Sequence, residues 1–330
     1  MLLDRKGHDA VASTTALRIA GIDASTADPA GGRIERDPTG AATGLLVEHP
    51  AVALVRAVVP APDDATRVGW IEHGSRVLRG HGFTAVVDPA VAPAELAAYA
   101  LAARSGRLPL RTVVMPLGDE DTDDAVLDEA VVACGVPTAA PGRLMRGPTK
   151  LFLDGGGSLG TAWRSKPWPG TDGYPGHRSL SRRALLAHCR AAAAAGRGVG
   201  VHAVGDAAVT EVLDVLAEVD RTGPVAGLGF HLIHAYLGPA PADMARARRL
   251  GVAVSAHPAL QWHAGPALVD RLGEDVAAAA NPLRSWLDAG VVVGGGSDGP
   301  GPPLSALTGM WQARTRRVRG ARTRWARSRR

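Results

Sequence analysis

Short apolar runs rich in β-branched residues recur along the chain from residue 82 onward, and most of them are followed by a helix-like stretch. Several runs are apolar throughout, as expected for strands of a parallel sheet that is buried on both faces. One strand and one helix in roughly 30 residues is the spacing of a βαβ unit, so the pattern predicts an α/β fold. The seven runs are residues 82–88, 110–116, 149–155, 198–204, 229–235, 251–257 and 290–296.

Residues suited to helix ends lie between these runs. Ser181 can cap the helix that follows it and Gly196 can end it, while Asp206 can cap the next helix. Pro282 suits the first turn of a further helix, which Gly290 closes. The apolar stripe of the helix after Asp206 comprises Val209, Val212, Leu213, Leu216 and Val219. Seven strand–helix units approach the (β/α)8 arrangement, so we predict a TIM-like barrel that is incomplete.

The segments on either side of the predicted barrel differ from it in composition. Residues 1–75 are rich in Gly, Pro, Asp and Thr, and we expect an N-terminal excursion that packs on the barrel. It contains one helical stretch near 13–20 and one strand-like run at 45–49. Residues 76–312 are predicted to form the barrel from its second to its eighth strand. Residues 313–330 are predicted to be a disordered, arginine-rich tail.

The charge distribution argues against a nucleic-acid partner. The formal charge of the 330 residues is +5, yet nine arginines and no acidic residue lie between Arg314 and Arg330. Without those nine, 28 of the 37 basic residues remain against 32 acidic ones, so residues 1–313 are mildly acidic. The tail has one aromatic residue, Trp325, and lacks the interleaved aromatics of a surface that stacks on bases.

Targeting signals are also missing from the sequence. No run of about 18 apolar residues occurs, and the N-terminus lacks the charged and then apolar pattern of a signal peptide. Cys134 and Cys189 lie in Ala/Val-rich surroundings, which favours buried free thiols over a disulfide. We therefore expect a cytoplasmic protein without a membrane partner.

Polar residues at the ends of the predicted strands are the candidates for chemistry, because barrels collect their active groups there. Lys150 is unusual, since the chain has only three lysines among its 37 basic residues. Burial would lower its pKa, and a neutral amine can react with carbon dioxide to give a carbamate that bridges two metal ions. A lysine that extends along an apolar surface to solvent is an equal alternative. The strand-end residues are Asp88, Lys150, His202, His234, His257 and Asp298.

Two histidines and an aspartate of this set are candidate metal ligands. His202 and His234 are 32 residues apart, about one βα unit, so they would project from adjacent strands toward one point and bind zinc. A lone histidine in a strand is more often a core residue. Asp298 could bind metal and accept a proton from an attacking water, although Ser-Asp-Gly-Pro is also a good turn. His257 and His263 are candidates for substrate contact only.

Two glycine patterns match the G-x-G-x-x-G fingerprint, at residues 155–160 and 294–299. A dinucleotide site also needs a helix that begins directly after the glycines, and neither continuation can start one. We therefore expect no nucleotide cofactor.

Seven stretches of the sequence, taken in their order and spacing, match a known family: GHDAVASTTALRIAGID, GGRIERDPTGAATGLLVE, GFTAVVD, TKLFLDGGGSLGTAW, VHAVGDAAVTEVLD, HLIHA and PLRSWLDAGVVVGGGSDGP. Through them the sequence resembles the amidohydrolase superfamily of metal-dependent hydrolases, in the branch that includes N-substituted formamide deformylase. The resemblance implies a (β/α)8 barrel, a small β-sandwich, and hydrolysis of amide-type C–N bonds with one or two divalent metals. By position, Lys150 matches the bridging lysine, His202 and His234 match metal-binding histidines, and Asp298 matches the proton-transferring aspartate. His8 lies in a segment that approaches the active site in the family.

The sequence also departs from the family pattern. The family's first strand ends in H-x-H, which supplies two metal ligands, and no H-x-H occurs in these 330 residues. His231 and Ile233 stand where the branch usually has Arg and Glu, so His231 is a further candidate for substrate contact. We expect a chain that lacks the first barrel strand and the β-sandwich, with an open edge that favours a homo-oligomer.

Two functions from different classes follow. The first is a zinc-dependent amidohydrolase that acts on a small amide-type substrate, with Lys150, His202, His234 and Asp298 as ligands and Asp298 as the catalytic residue. The second is a catalytically inactive barrel fragment that binds a small molecule or a partner chain, because the H-x-H ligands are absent.

Overall fold

The computed structural model describes residues 1–4, 8–29, 31–136, 140 and 142–318. The chain divides into two compact units, Met1–Pro62 and Asp63–Arg330. The predicted boundary at residue 75 falls inside a helix, Asp64–Gly80, that belongs to the second unit.

The first unit is built on an antiparallel sheet of four short strands. These are β1 (Leu2–Leu3), β2 (Ala10–Val11), β3 (Arg33–Arg36) and β4 (Ala42–Val47), in the order β1-β2-β4-β3. Helices α1 (Thr14–Ile19) and α2 (Glu48–Arg56) pack their apolar side chains with those of β3 and β4. The sequence indicated only one strand in this region, at 45–49, and residues 48 and 49 of that run begin α2 instead. The other strands were missed because two to four residues are too short to show a period of two.

The second unit contains the predicted parallel strands, and every strand pair in it is parallel. The strands are β5 (Ala85–Val91), β6 (Arg111–Pro116), β7 (Leu144–Arg146), β8 (Thr149–Phe152), β9 (Val199–Gly205), β10 (His231–Leu237), β11 (Ala253–Ala256) and β12 (Val293–Gly295). One sheet has the order β5-β6-β7 and the other the order β12-β11-β10-β9-β8. A backbone bridge between Leu117 and Lys150 connects them, and the Gly118 N–H donates to the Lys150 carbonyl over 2.9 Å.

All seven predicted runs contain a strand, and β7 is an addition that its three residues did not reveal. Within the described residues, no backbone pairing joins β5 to β12, so a closed barrel is not formed. The predicted absence of a first strand and of a β-sandwich stays a prediction.

Helices alternate with these strands. They are α3 (Asp64–Gly80), α4 (Pro93–Arg104), α5 (Asp124–Ala133), α6 (Arg182–Ala194), α7 (Asp206–Asp220), α8 (Pro241–Leu250), α9 (Pro258–Leu272), α10 (Glu274–Ala279), α11 (Leu283–Asp288) and α12 (Ala306–Thr315). None of the helices in the described part of the chain is both long and apolar enough to span a membrane.

The predicted helix ends are confirmed except at two positions. Pro282, expected in the first turn of a helix, is instead the cap residue that precedes α11. The Ser181 hydroxyl accepts the Ala184 N–H over 3.1 Å and caps α6. Asp206 does not cap α7; it is the first helical residue, Gly205 is the cap, and the Asp206 carboxylate accepts the Ser165 N–H. The five apolar residues of the α7 stripe are all buried, and each contributes roughly 1.5–3 kcal/mol to folding.

The predicted disordered tail begins too early. Helix α12 continues to Thr315, and the Arg316 guanidinium donates to the carbonyls of Ala278, Ala280 and Asn281 over 2.6–2.8 Å. Ala278 lies in the last turn of α10, and Ala280 and Asn281 follow it. Carbonyls at a helix end lack intrahelical donors, so Arg316 holds this segment in place. Val318 is buried as well. The rest of the predicted tail, residues 319–330, lies outside the described residues.

Candidate active site

Three side chains meet at the carboxyl ends of the last three strands. His234 lies on β10, His257 directly follows β11, and Asp298 follows β12. Their candidate ligand atoms all lie within 4.8 Å of one another. Two imidazoles and one carboxylate are a donor set that divalent zinc accepts.

The backbone around His234 is irregular in a way that directs the side chain. The register between β10 and β9 shifts between His234 and Leu237. His234 and Ala235 have φ values of 80° and 44°, in the left-handed region that residues with a side chain rarely adopt. Asp298, in the turn after β12, has a φ of 53°. Such irregularities near strand ends change where a side chain points, and they are frequent at functional sites.

A row of aromatic rings connects His257 and His234 with His202 and Lys150. The His234 ring centroid is 4.6 Å from that of His257 and 4.7 Å from that of His202. The His202 centroid lies 5.3 Å from that of Phe152, and the Lys150 Nζ lies 4.1 Å from the Phe152 centroid. The four predicted ligands are therefore brought to one region.

Lys150 is deeply buried in this region, with 2% of its surface exposed. Its Nζ has no hydrogen-bond partner in the described part of the chain. Burial lowers the pKa of Lys150 to about 7, although the charges of Asp298 and Asp154 act in the opposite direction. The amine is therefore largely neutral at mildly alkaline pH, the state in which it is nucleophilic.

His257 is affected by the same surroundings. Burial lowers its pKa, the Asp298 charge raises it, and the Lys150 charge lowers it again. Its Nδ1 is buried and has no hydrogen-bond partner among the described residues. A neutral imidazole with a free lone pair is the form that binds metal.

Comparison with known proteins identifies the family. The whole chain, residues 1–330, matches the sequence model of the amidohydrolase family. The chain belongs to this family. It is 29% identical over 322 residues to YtcJ of Bacillus subtilis, which carries an amidohydrolase assignment. It is 28% identical over 327 residues to the N-substituted formamide deformylase of Arthrobacter pascens. These alignments cover 95% and 94% of the chain but 58% of each relative, so the chain spans about three fifths of their length.

A solved structure supports the same fold. The chain is similar to an uncharacterized metal-dependent hydrolase from Pyrococcus horikoshii, with a TM-score of 0.74 and 23% sequence identity. The match covers 94% of this chain and 59% of that one. The predicted family resemblance is confirmed. The predicted fold is confirmed as an α/β fold with parallel sheets, and the described residues do not form a closed barrel.

For two residues of the site, the sequence did not predict the role that the structure suggests: a metal ligand in one case and a contact of His202 in the other. His257, predicted only as a substrate contact, is one of the three convergent side chains. Asp154 was not singled out, although it also ends an apolar run; its carboxylate lies 3.2 Å from His202 Nδ1. A polar residue at the end of an apolar run was the available signal in both cases.

The remaining candidates are not among the three convergent side chains, although the charge of Lys150 reaches His231. His231 begins β10, bonds to the Gly229 carbonyl over 3.0 Å, and has a pKa lowered by burial. His8 belongs to the first unit and pairs with Glu48 over 2.8 Å. Burial alone would lower the pKa of His8, but Glu48 outweighs it and raises the pKa. Their roles in substrate binding stay predictions. Asp88 accepts the Tyr99 hydroxyl over 2.5 Å.

Proposed function

We propose that this chain is a metal-dependent hydrolase of small molecules and that it cleaves a non-peptide C–N bond of the amide type. The convergence of His234, His257 and Asp298 within 4.8 Å is the observation that carries the proposal. The family relation and the names of its relatives, a formamide deformylase and a metal-dependent hydrolase, agree with it. The alternative, an inactive fragment, is the outcome that the experiments below separate from it.

The donor atoms fit a divalent ion, and zinc is the ion we propose. Zinc is held in proteins by imidazole and carboxylate ligands, and catalytic sites use three protein ligands and leave a position open. His234, His257 and Asp298 would supply the three. The buried Nδ1 of His257 and the buried Nζ of Lys150 have no partner within the described residues. Leaving such atoms unpaired is costly, which is consistent with a ligand that is bound in the working protein.

Lys150 and His202 would extend the site to a second ion. A neutral lysine amine adds to carbon dioxide, forms an N–C bond and releases one proton, which gives a carbamate. The low pKa of Lys150 favours this reaction near neutral pH. The carbamate oxygens and His202 would then hold the second ion beside the first.

Asp298 is the proposed proton carrier. A bound divalent ion would polarise the substrate carbonyl and lower the pKa of water. The Asp298 carboxylate takes a proton from the attacking water as the new C–O bond forms at the carbonyl carbon. It then gives that proton to the nitrogen as the C–N bond breaks, so the products are a carboxylic acid and an amine. Asp298 is exposed, which leaves it accessible to the substrate.

Metal content and amine release test the proposal. The protein is loaded with Zn²⁺, dialysed and measured by mass spectrometry, and primary amines released from N-formyl and other N-acyl amines are quantified. His234→Ala and His257→Ala should lose the ion, whereas His73→Ala, at an exposed histidine of α3, should keep it. Asp298→Asn should abolish turnover, and Asp275→Asn, at an exposed residue of α10, should not.

Two results would contradict the proposal. A wild-type protein that binds no divalent ion would refute the metal site. An Asp298→Asn variant with unchanged turnover would refute the proton carrier. Metal-dependent release of amine by the wild type would eliminate the inactive-fragment alternative.

A further inference from the structure

Asp154 is the most thoroughly hydrogen-bonded carboxylate near the site, and it is 1% exposed. Its Oδ1 accepts the Val204 N–H over 2.9 Å and lies 3.2 Å from His202 Nδ1. Its Oδ2 accepts the Gly205 N–H over 2.8 Å and the Trp163 N–H over 3.0 Å. An ionised carboxylate, which accepts at both oxygens, satisfies all of these donors.

This arrangement determines which nitrogen of His202 carries the proton. A carboxylate that already accepts backbone N–H groups has no hydrogen to donate, so the contact with His202 requires a hydrogen on Nδ1. The neutral imidazole then has its lone pair on Nε2. Carboxylates that bind the second nitrogen of a metal-ligating histidine fix its tautomer and ring orientation in this way. The His202 ring lies edge-on to that of His234, within the row of rings described above.

The same carboxylate connects two segments of backbone. Val204 and Gly205 end β9, whereas Trp163 lies in the long loop of residues 153–181 between β8 and α6. The backbones are so close that a Cβ on Gly205 would lie 1.8 Å from the Trp163 carbonyl oxygen. The loop is therefore held against the end of β9, the strand that carries His202.

We infer that Asp154 is a positioning residue of the site: it holds His202 as the Nδ1–H tautomer, which places the lone pair that would bind a ligand on Nε2, and it locks the 153–181 loop to the end of β9. The inference rests on the proposed function for the identity of that ligand, a divalent ion. The hydrogen-bond geometry itself belongs to the metal-free protein.

Asp206 provides a matched control. It also accepts an N–H from the 153–181 loop, that of Ser165 over 3.0 Å, and its second oxygen accepts the Ser165 hydroxyl. Asp206 begins α7, directly after Gly205, so it holds the loop close to the same place. Replacing it weakens the attachment of the loop without removing the carboxylate that contacts His202.

The experiment reads the tautomer directly in metal-free, ¹⁵N-labelled protein. Long-range ¹H–¹⁵N correlation spectra distinguish a protonated from an unprotonated imidazole nitrogen, and the signals of His202 are identified by their loss in His202→Gln. Wild type and Asp206→Ala should show His202 with hydrogen on Nδ1. Asp154→Ala should show the Nε2–H form or an exchange average of the two forms.

Zinc titration of the same proteins gives the second readout. Asp154→Ala should lower Zn²⁺ affinity about 10- to 100-fold, as expected for loss of a carboxylate behind a metal-ligating histidine, and Asp206→Ala should leave it unchanged. Circular dichroism checks that each variant folds. If Asp154→Ala does not fold, the wild-type spectrum still decides, because a hydrogen on Nε2 of His202 would overturn the inference.

The outcomes separate this inference from the proposed function. Wild-type protein that binds no zinc, yet shows the Nδ1–H tautomer and loses it in Asp154→Ala, refutes the metal site and supports the role of Asp154 toward His202. Zinc binding with an unchanged tautomer and affinity in Asp154→Ala overturns the inference and leaves the proposed function standing.

Discussion

Replacing Lys150 with methionine should stabilise the metal-free protein, because the charged lysine opposes folding. Burial lowers its pKa from 10.5 to about 7. One pH unit corresponds to about 1.4 kcal/mol, so this fall amounts to roughly 5 kcal/mol of folding free energy below pH 7. Methionine has a similar length, carries no charge and fills irregular space well, so Lys150→Met removes this cost with little change in volume.

The pH dependence of the effect follows from proton binding. Between pH 7 and 10.5 the unfolded lysine holds a proton and the folded one does not, so the stability of the wild type rises with pH in this window. The cost is complete below pH 7 and disappears above 10.5. Lys150→Met should therefore exceed the wild type in stability by roughly 5 kcal/mol at pH 6 and by about 2 kcal/mol at pH 9.

Urea unfolding, followed by circular dichroism from pH 6 to 9.5, measures this difference. The buffers contain a chelator and no carbon dioxide, because a bound ion or a carbamate would give the amine a partner. Lys166→Met is the control, since Lys166 is exposed and its replacement should change stability by less than about 0.5 kcal/mol. A Lys150→Met variant that is less stable than the wild type at pH 6, or a difference that does not change with pH, would refute the reasoning.

Three further predictions concern other parts of the fold. The ring nitrogens of His188 face a carboxylate and a backbone carbonyl, which raise its pKa against the effect of burial. His188→Gln should lower the free energy of unfolding by about 1.5–3 kcal/mol below pH 6.5. The loss should shrink as pH rises past the pKa of His188 in the folded protein, and a loss that stays constant with pH in urea unfolding would contradict this. Gly205→Ala should lower the melting temperature or prevent folding, because the new Cβ would overlap the Trp163 carbonyl. Gly223→Ala, which has open space around it, should do neither, and equal effects of the two variants would count against the close approach at Gly205. Met310 lies on the exposed apolar side of α12, and Met310→Lys should reduce the self-association that we expect of a protein with an open sheet edge. An unchanged particle mass of the variant in light scattering would contradict this prediction.

The strands of the second unit could be predicted because each is a local property of the sequence. A run such as 198–204 is apolar at every position, and β9 is buried along its whole length. The first unit could not be predicted in the same way. Its sheet pairs β2 with β4 and β3 with β4, and two-residue strands acquire their structure from a partner that lies far along the chain.

The candidate site was predictable in its residue types and only partly in its arrangement. His234 and Asp298 could be proposed because each ends an apolar run, and the structure brings both into the convergent group. His257 ends an apolar run in the same way, yet nothing in the neighbouring sequence distinguishes a metal ligand from a residue at the rim of the site. The positive φ of His234 and the shifted register of β10 depend on how the neighbouring strands pair.

By itself, the sequence determined the alternation of parallel strands and helices, the imidazoles and carboxylates at the strand ends, and the unusual lysine on β8. These depend on composition and spacing within short segments. Only the tertiary structure decided that Asp154 contacts His202, 48 residues away, and that Lys150 is buried without a hydrogen-bond partner in the described part of the chain. Solvent exclusion and the distances between side chains set pKa values and ligand geometry, and both arise when separate segments pack against each other.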